Sequence, residues 1–156
     1  MVKRPRVLII EDFEDAIELY ADYLRFHGLE VVTATSGQEG VQLARDQKPD
    51  LIVMDAGLPG MSGWEATERL KADPVTASIC VMMVTGHVFE DAERQAQAAG
   101  VDVFLRKPCL PDELLREILA TLDTLPCGTE VASAIERQEA TRASQQRIEE
   151  GRQKRL

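Results

Sequence analysis

The chain has 156 residues, a formal charge of −9, and 44% hydrophobic and 29% charged residues. This composition is globular, and its acidic balance repels nucleic acid and anionic membrane surfaces at long range. No run approaches the roughly 18 apolar residues of a membrane span, and no apolar h-region follows the basic start. The expectation is a soluble cytoplasmic protein with no direct nucleic-acid or membrane partner. Aromatic residues make up only 4%, so the core must be aliphatic. Cys80, Cys109 and Cys127 lack metal-ligand spacing, and Cys80 lies in an apolar run expected in the core.

The first strand is the apolar run RVLII (6–10), which leads into Glu11-Asp12. Phe13, Ile17, Leu19, Tyr20 and Leu24 follow at near-helical spacing, and Gly28 stops the helix. EVVTA (30–34) predicts a second strand. Ser36 then has the form of an N-cap, with Glu39 three residues on as in a capping box, opening a helix that ends before Pro49. The third strand is DLIVM (50–54), followed by a helix over 63–72. SICVMMV (78–84) predicts the fourth strand, before Thr85-Gly86 and a helix over 88–99. VDVFL (101–105) is the fifth, followed by Lys107-Pro108 and a helix over 111–122 with Pro111 in its first turn.

Strand and helix therefore alternate five times. That order predicts an α/β fold: a doubly wound, five-stranded parallel sheet of flavodoxin-like order 2-1-3-4-5. The strands read as continuous apolar runs because helices cover both faces. Residues 1–125 form this domain. Residues 126–156 differ in character: Pro126 and Gly128 break the chain, and an Ala/Glu/Gln/Arg-rich stretch follows, with five acids and six bases. Its few large apolar residues predict a solvated, helical or partly disordered extension.

Sites in such sheets form at the carboxyl ends of the strands. Glu11 and Asp12, Asp55, Thr85 and Lys107 all follow strands, so the topology gathers them on one edge. Three crowded carboxylates raise at least one pKa unless a cation sits among them. Oxygen-only donors of this kind suit magnesium. Asp55 could then act as nucleophile toward a phosphoryl group, with Lys107 neutralising charge and the Thr85 hydroxyl donating to a phosphoryl oxygen. The small residues Ala56 and Gly57 allow close backbone approach.

The ordered set of Glu11-Asp12, Asp55 with LPGMSG, Thr85-Gly86, Phe104 and Lys107-Pro108 resembles the receiver domain of bacterial two-component response regulators. The resemblance covers roughly residues 5 to 125, and its force lies in the set, because each motif alone is weak. It implies an aspartyl phosphate on Asp55, supplied by a sensor histidine kinase, a histidine phosphotransfer protein or a small acyl phosphate. It also implies magnesium held by Asp12, Asp55 and the Gly57 carbonyl, with Glu11 engaged through water. Lys107 would pair with the phosphoryl group before a cis Pro108, and Thr85 and the inward-rotating Phe104 would form the switch.

Output is expected through contact with a downstream protein, from a monomer or a weak phosphorylation-dependent dimer; an intermediate in a multistep phosphorelay is the alternative. No activity is expected beyond the chain's own phosphorylation and dephosphorylation. Ala56 and Ser62 depart from the family pattern without removing a reacting group. The resemblance places Gly57 and His87 at the two variable positions that flank the route of hydrolytic water in this family, which leaves His87 as the residue expected to position it. A haloacid-dehalogenase-like phosphatase needs a second acid two residues after its nucleophile, where this chain has Gly57. A flavin site would need a Ser/Thr/Gly-rich phosphate loop where Glu11-Asp12 stands.

Overall fold

The computed structural model describes residues 4–86 and 92–124. Among them are five strands, β1 (Arg6–Ile10), β2 (Glu30–Ala34), β3 (Leu51–Asp55), β4 (Cys80–Thr85) and β5 (Val103–Arg106). The helices are α1 (Glu14–Phe26), α2 (Gly37–Gln47), α3 (Gly63–Ala72), α4 (Ala92–Ala99) and α5 (Pro111–Asp123). Every strand pair is parallel and the order is β2-β1-β3-β4-β5, as the alternation predicted.

The pleat sends alternate residues to opposite faces, and both faces are covered. Leu8, Ile10, Ile52, Met54, Val81, Met83 and Phe104 cluster with Ala44 of α2, Ala66 and Leu70 of α3, and Ala96 and Ala99 of α4. Val7, Ile9, Leu51, Val53, Cys80, Met82, Val103 and Leu105 cluster with Ala21 and Leu24 of α1 and with Leu114, Leu115 and Ile118 of α5. All residues of β3 and β4 are buried, which is why neither strand shows polar alternation. Helix α2 comes so close to β1 that a Cβ on Gly40 would meet Ile10 Cγ1 at 2.7 Å.

The boundaries differ from expectation where side chains or turns capture backbone groups. The third strand starts at Leu51 because Asp50 turns its carboxylate onto Arg6 N–H at 2.8 Å, and it runs on to include Asp55. The fourth starts at Cys80, after Ile79 N–H has closed a turn onto Thr76 O. Val101 and Asp102 were expected in the fifth strand but precede it. Val101 N–H bonds to Ala96 O, and the Asp102 carboxylate receives Val81 N–H and Lys71 Nζ, each at 2.8 Å. Phe13 stands before α1 in extended backbone and is 61% exposed, and Leu19 is exposed as well. The buried stripe of α1 is Ile17, Ala21 and Leu24.

Ser36 caps α2 by accepting Glu39 N–H, but the Glu39 carboxylate reaches past the cap to Thr35 N–H and Oγ1. The expected box is therefore half formed. Residues 88–91 of the expected fourth helix, and the extension over 126–156, lie outside the described residues. Among those described, no helix is long and apolar enough to cross a membrane.

Lys71 and Asp102 staple the amino-terminal edge of the sheet. Lys71 Nζ also donates to Ile79 O at 2.8 Å, so one ammonium joins α3, the turn before β4 and the turn before β5. Removing one partner of a buried pair strands the other charge. Asp102→Ala should therefore cost about 3 kcal/mol, read as a lower urea midpoint at unchanged slope. Pairing it with Lys71→Met should recover part of that loss.

Candidate functional site

The carboxyl edge carries the site, and the strand ends place each group. Glu11 follows β1; its N–H bonds to Ala34 O at 3.1 Å, and Phe13 N–H donates to its Oε1 at 3.3 Å. The Glu11 side chain is thus held inward, and the residue is 6% exposed, while Asp12 beside it is exposed. Asp55 ends β3 and is buried, its Oδ1 accepting Gly57 N–H at 3.1 Å. Thr85 ends β4, buried, and its carbonyl accepts Lys107 N–H at 2.8 Å. The Lys107–Pro108 peptide bond is cis.

Glu11, Asp12 and Asp55 each offer an oxygen within 4.8 Å of the others. Lys107 Nζ lies 3.4 Å from Glu11 Oε2 and 3.6 Å from Asp55 Oδ1. Burial pushes the Glu11 carboxyl up to about 7, and the Asp55 charge and a hydrogen bond to Asp55 push the same way, against Lys107. Three convergent carboxylates, one of them raised by burial and by the neighbouring Asp55 charge, make a donor set that fits a hard divalent cation.

Of the expected site residues, Glu11, Asp12 and Asp55 are brought together, and Lys107 is brought within reach of Glu11 and Asp55. Gly57 sits beside them with its N–H on Asp55, and Thr85 is tied to Lys107 through the backbone. Phe104 is fully buried in the cluster under α4, at 1% exposure. An inward rotation therefore has no outward starting position in this structure. His87 lies outside the described residues.

Two contributors were not singled out from the sequence. Gly63 opens α3 directly against the end of β3: its N–H bonds to Ala56 O at 3.1 Å. A Cβ there would run into Asp55 O and meet Ala56 Cα at 2.8 Å. Ser62, noted only as a departure, caps the same helix by accepting Glu65 N–H. The Ser-x-x-Glu spacing was the available signal for the cap. For Gly63 there was none, because the clash is with residues of another element.

The chain belongs to the response regulator receiver domain family, whose sequence pattern it matches over residues 7–119. That makes it a receiver domain of two-component signalling. It is 36% identical over 117 residues to protein PilH of Pseudomonas aeruginosa, a match spanning 75% of this chain and 97% of that one. To the polar-differentiation response regulator DivK of Brucella ovis it is 37% identical over 102 residues, 65% of this chain and 83% of the other. Its fold is shared with a CheY-like receiver domain protein from Methanospirillum hungatei JF-1, at a TM-score of 0.73 and 29% identity. That likeness covers 78% of this chain and 95% of the other.

The raised Glu11 has a consequence for stability. Between its ordinary value of 4.5 and its folded value of about 7, the folded chain holds a proton that the unfolded chain has released. Stability therefore falls as pH rises through that window, the reverse of a salt-bridged acid. In chelator, urea midpoints should decline from pH 5 to pH 7.5, and Glu11→Gln should flatten the decline. Gly63→Ala should cost about 1–3 kcal/mol by overpacking, measured by the same denaturation.

Proposed function

We propose that Asp55 accepts a phosphoryl group from a histidine kinase or histidine phosphotransfer protein, and that the phosphorylated chain acts by contact with a downstream protein. One observation carries the reading: the Asp55 carboxylate at a strand end, with the Lys107 ammonium 3.6 Å from its Oδ1 and two further acids converging on it. A carboxylate so placed is an oxygen nucleophile beside a cation that can offset charge gathering on the transferred group.

In the transfer, an Asp55 oxygen attacks phosphorus, the bond from phosphorus to the donor's imidazole nitrogen breaks, and the electron pair leaves with the imidazole. Gly57 N–H, already on Oδ1, helps hold the carboxylate in its attacking orientation. Lys107, tethered to Thr85 by its own N–H, is positioned to pair with the phosphoryl oxygens. The Thr85 hydroxyl would donate to one of them. Asp12, Asp55 and the Gly57 carbonyl would hold magnesium, with Glu11 engaged through water. When bound, the ion supplies neutralisation of phosphoryl charge.

The switch assigned to Thr85 and Phe104 must work from a buried aromatic ring. It would then consist of Thr85 moving toward the phosphoryl group while Phe104 is locked in place. Residues 1–125 serve as the phosphorylated unit in this reading, and the only reaction we assign is the chain's own phosphorylation and dephosphorylation.

Acetyl phosphate with magnesium should label the wild type with a phosphate that survives acid and is lost in base. Asp55→Asn should take no label, and Lys107→Ala should slow labelling at least tenfold. Magnesium should also raise the urea midpoint at pH 7.5 by mass action, and Asp12→Ala should remove most of that gain. A wild-type chain that stays unlabelled in the presence of a competent donor refutes the assignment.

A further inference from the structure

Tyr20 sits on α1, eight residues beyond Asp12, and is half-buried against the cluster under α1 and α5. Its hydroxyl donates to the carbonyl oxygen of Cys109 at 2.7 Å. Cys109 follows Lys107 by two residues, and Pro108 between them has no N–H to anchor the loop. The loop that carries Lys107 is therefore held from two sides. Thr85 O holds the Lys107 N–H at 2.8 Å, and the Tyr20 hydroxyl holds the carbonyl at the far end.

We propose that Tyr20 is a positioning residue for Lys107, tying the helix that follows the acidic pair to the loop that carries the cation. Resting on the Asp55 reading above, it identifies what sets the distance between nucleophile and ammonium. The same helix begins beyond Glu11, whose carboxylate Lys107 Nζ approaches at 3.4 Å. Moving α1 relative to β5 would thus shift acid and lysine together only while the Tyr20 bond stands. Burial pushes the Tyr20 hydroxyl up to about 12, so it remains a donor throughout the physiological range. Without that donor the loop keeps its backbone tether at Lys107 but loses the side-chain hydrogen bond to the Cys109 carbonyl that joins it to α1, and the ammonium samples a wider range of positions.

The test is Tyr20→Phe in the full chain, which keeps the ring and removes only the donor. With lysine side-chain nitrogens isotopically labelled, the Lys107 ammonium resonance should shift or broaden, while that of Lys71, paired with Asp102 at the opposite edge of the sheet, stays in place as an internal control. Labelling by acetyl phosphate should slow by about two- to tenfold, the range a single intramolecular hydrogen bond is worth. Magnesium affinity by calorimetry should stay within twofold of wild type, since no acid has been touched.

An unmoved Lys107 resonance sinks the inference, as does an unchanged labelling rate. Lys107 and Lys71 shifting together, or a variant that no longer folds, would show a general structural role and sink it equally. If the wild type itself takes no label, the Asp55 assignment falls, a result distinct from any of these.

Discussion

Three carboxylates and a lysine at one edge of a parallel sheet form the arrangement on which the rest of this protein depends. Glu11 is buried beside Asp55, and its burial, reinforced by the Asp55 charge and only partly opposed by Lys107, pushes its carboxyl up to about 7. Like charges so close oppose folding. The fold accepts the cost because the acids follow strands whose apolar faces are covered on both sides by helices. A divalent cation placed among these acids would offset their mutual repulsion.

The two edges of the sheet are built on opposite principles. At the amino-terminal edge charges are matched: Lys71 with Asp102, Arg6 with Glu30, and the Asp50 carboxylate with a backbone N–H. At the carboxyl edge they are left crowded. The first edge can hold the strands in register while the second keeps its like charges close together. The order β2-β1-β3-β4-β5 adds to this, because β1 and β3 lie side by side where the winding reverses, bringing Glu11 and Asp55 together at the switch point.

Membership of the receiver family accounts for the fold, and the particulars of this chain lie in what surrounds the acids and Lys107. Phe104 is already buried under α4, the Tyr20 hydroxyl ties α1 to the loop after Lys107, and Gly63 lets α3 start against the Asp55 backbone. Each concerns how the strand-end groups are held in place.

The sequence by itself determined the five-fold alternation, the covered sheet and which acids and lysine follow the strands. Those properties are written in local periodicity and in which residue follows each apolar run. Tertiary structure decided the rest, because contacts between residues far apart in the chain leave no local pattern. Asp102 was legible as part of an apolar strand until Lys71, 31 residues away, drew its carboxylate aside. Tyr20 was legible only as one more apolar position on a helix, since its bonding partner lies 89 residues further along. The size of the Glu11 shift likewise depended on the folded burial of its carboxyl and its distance to Asp55, which exist only once β1 and β3 pair.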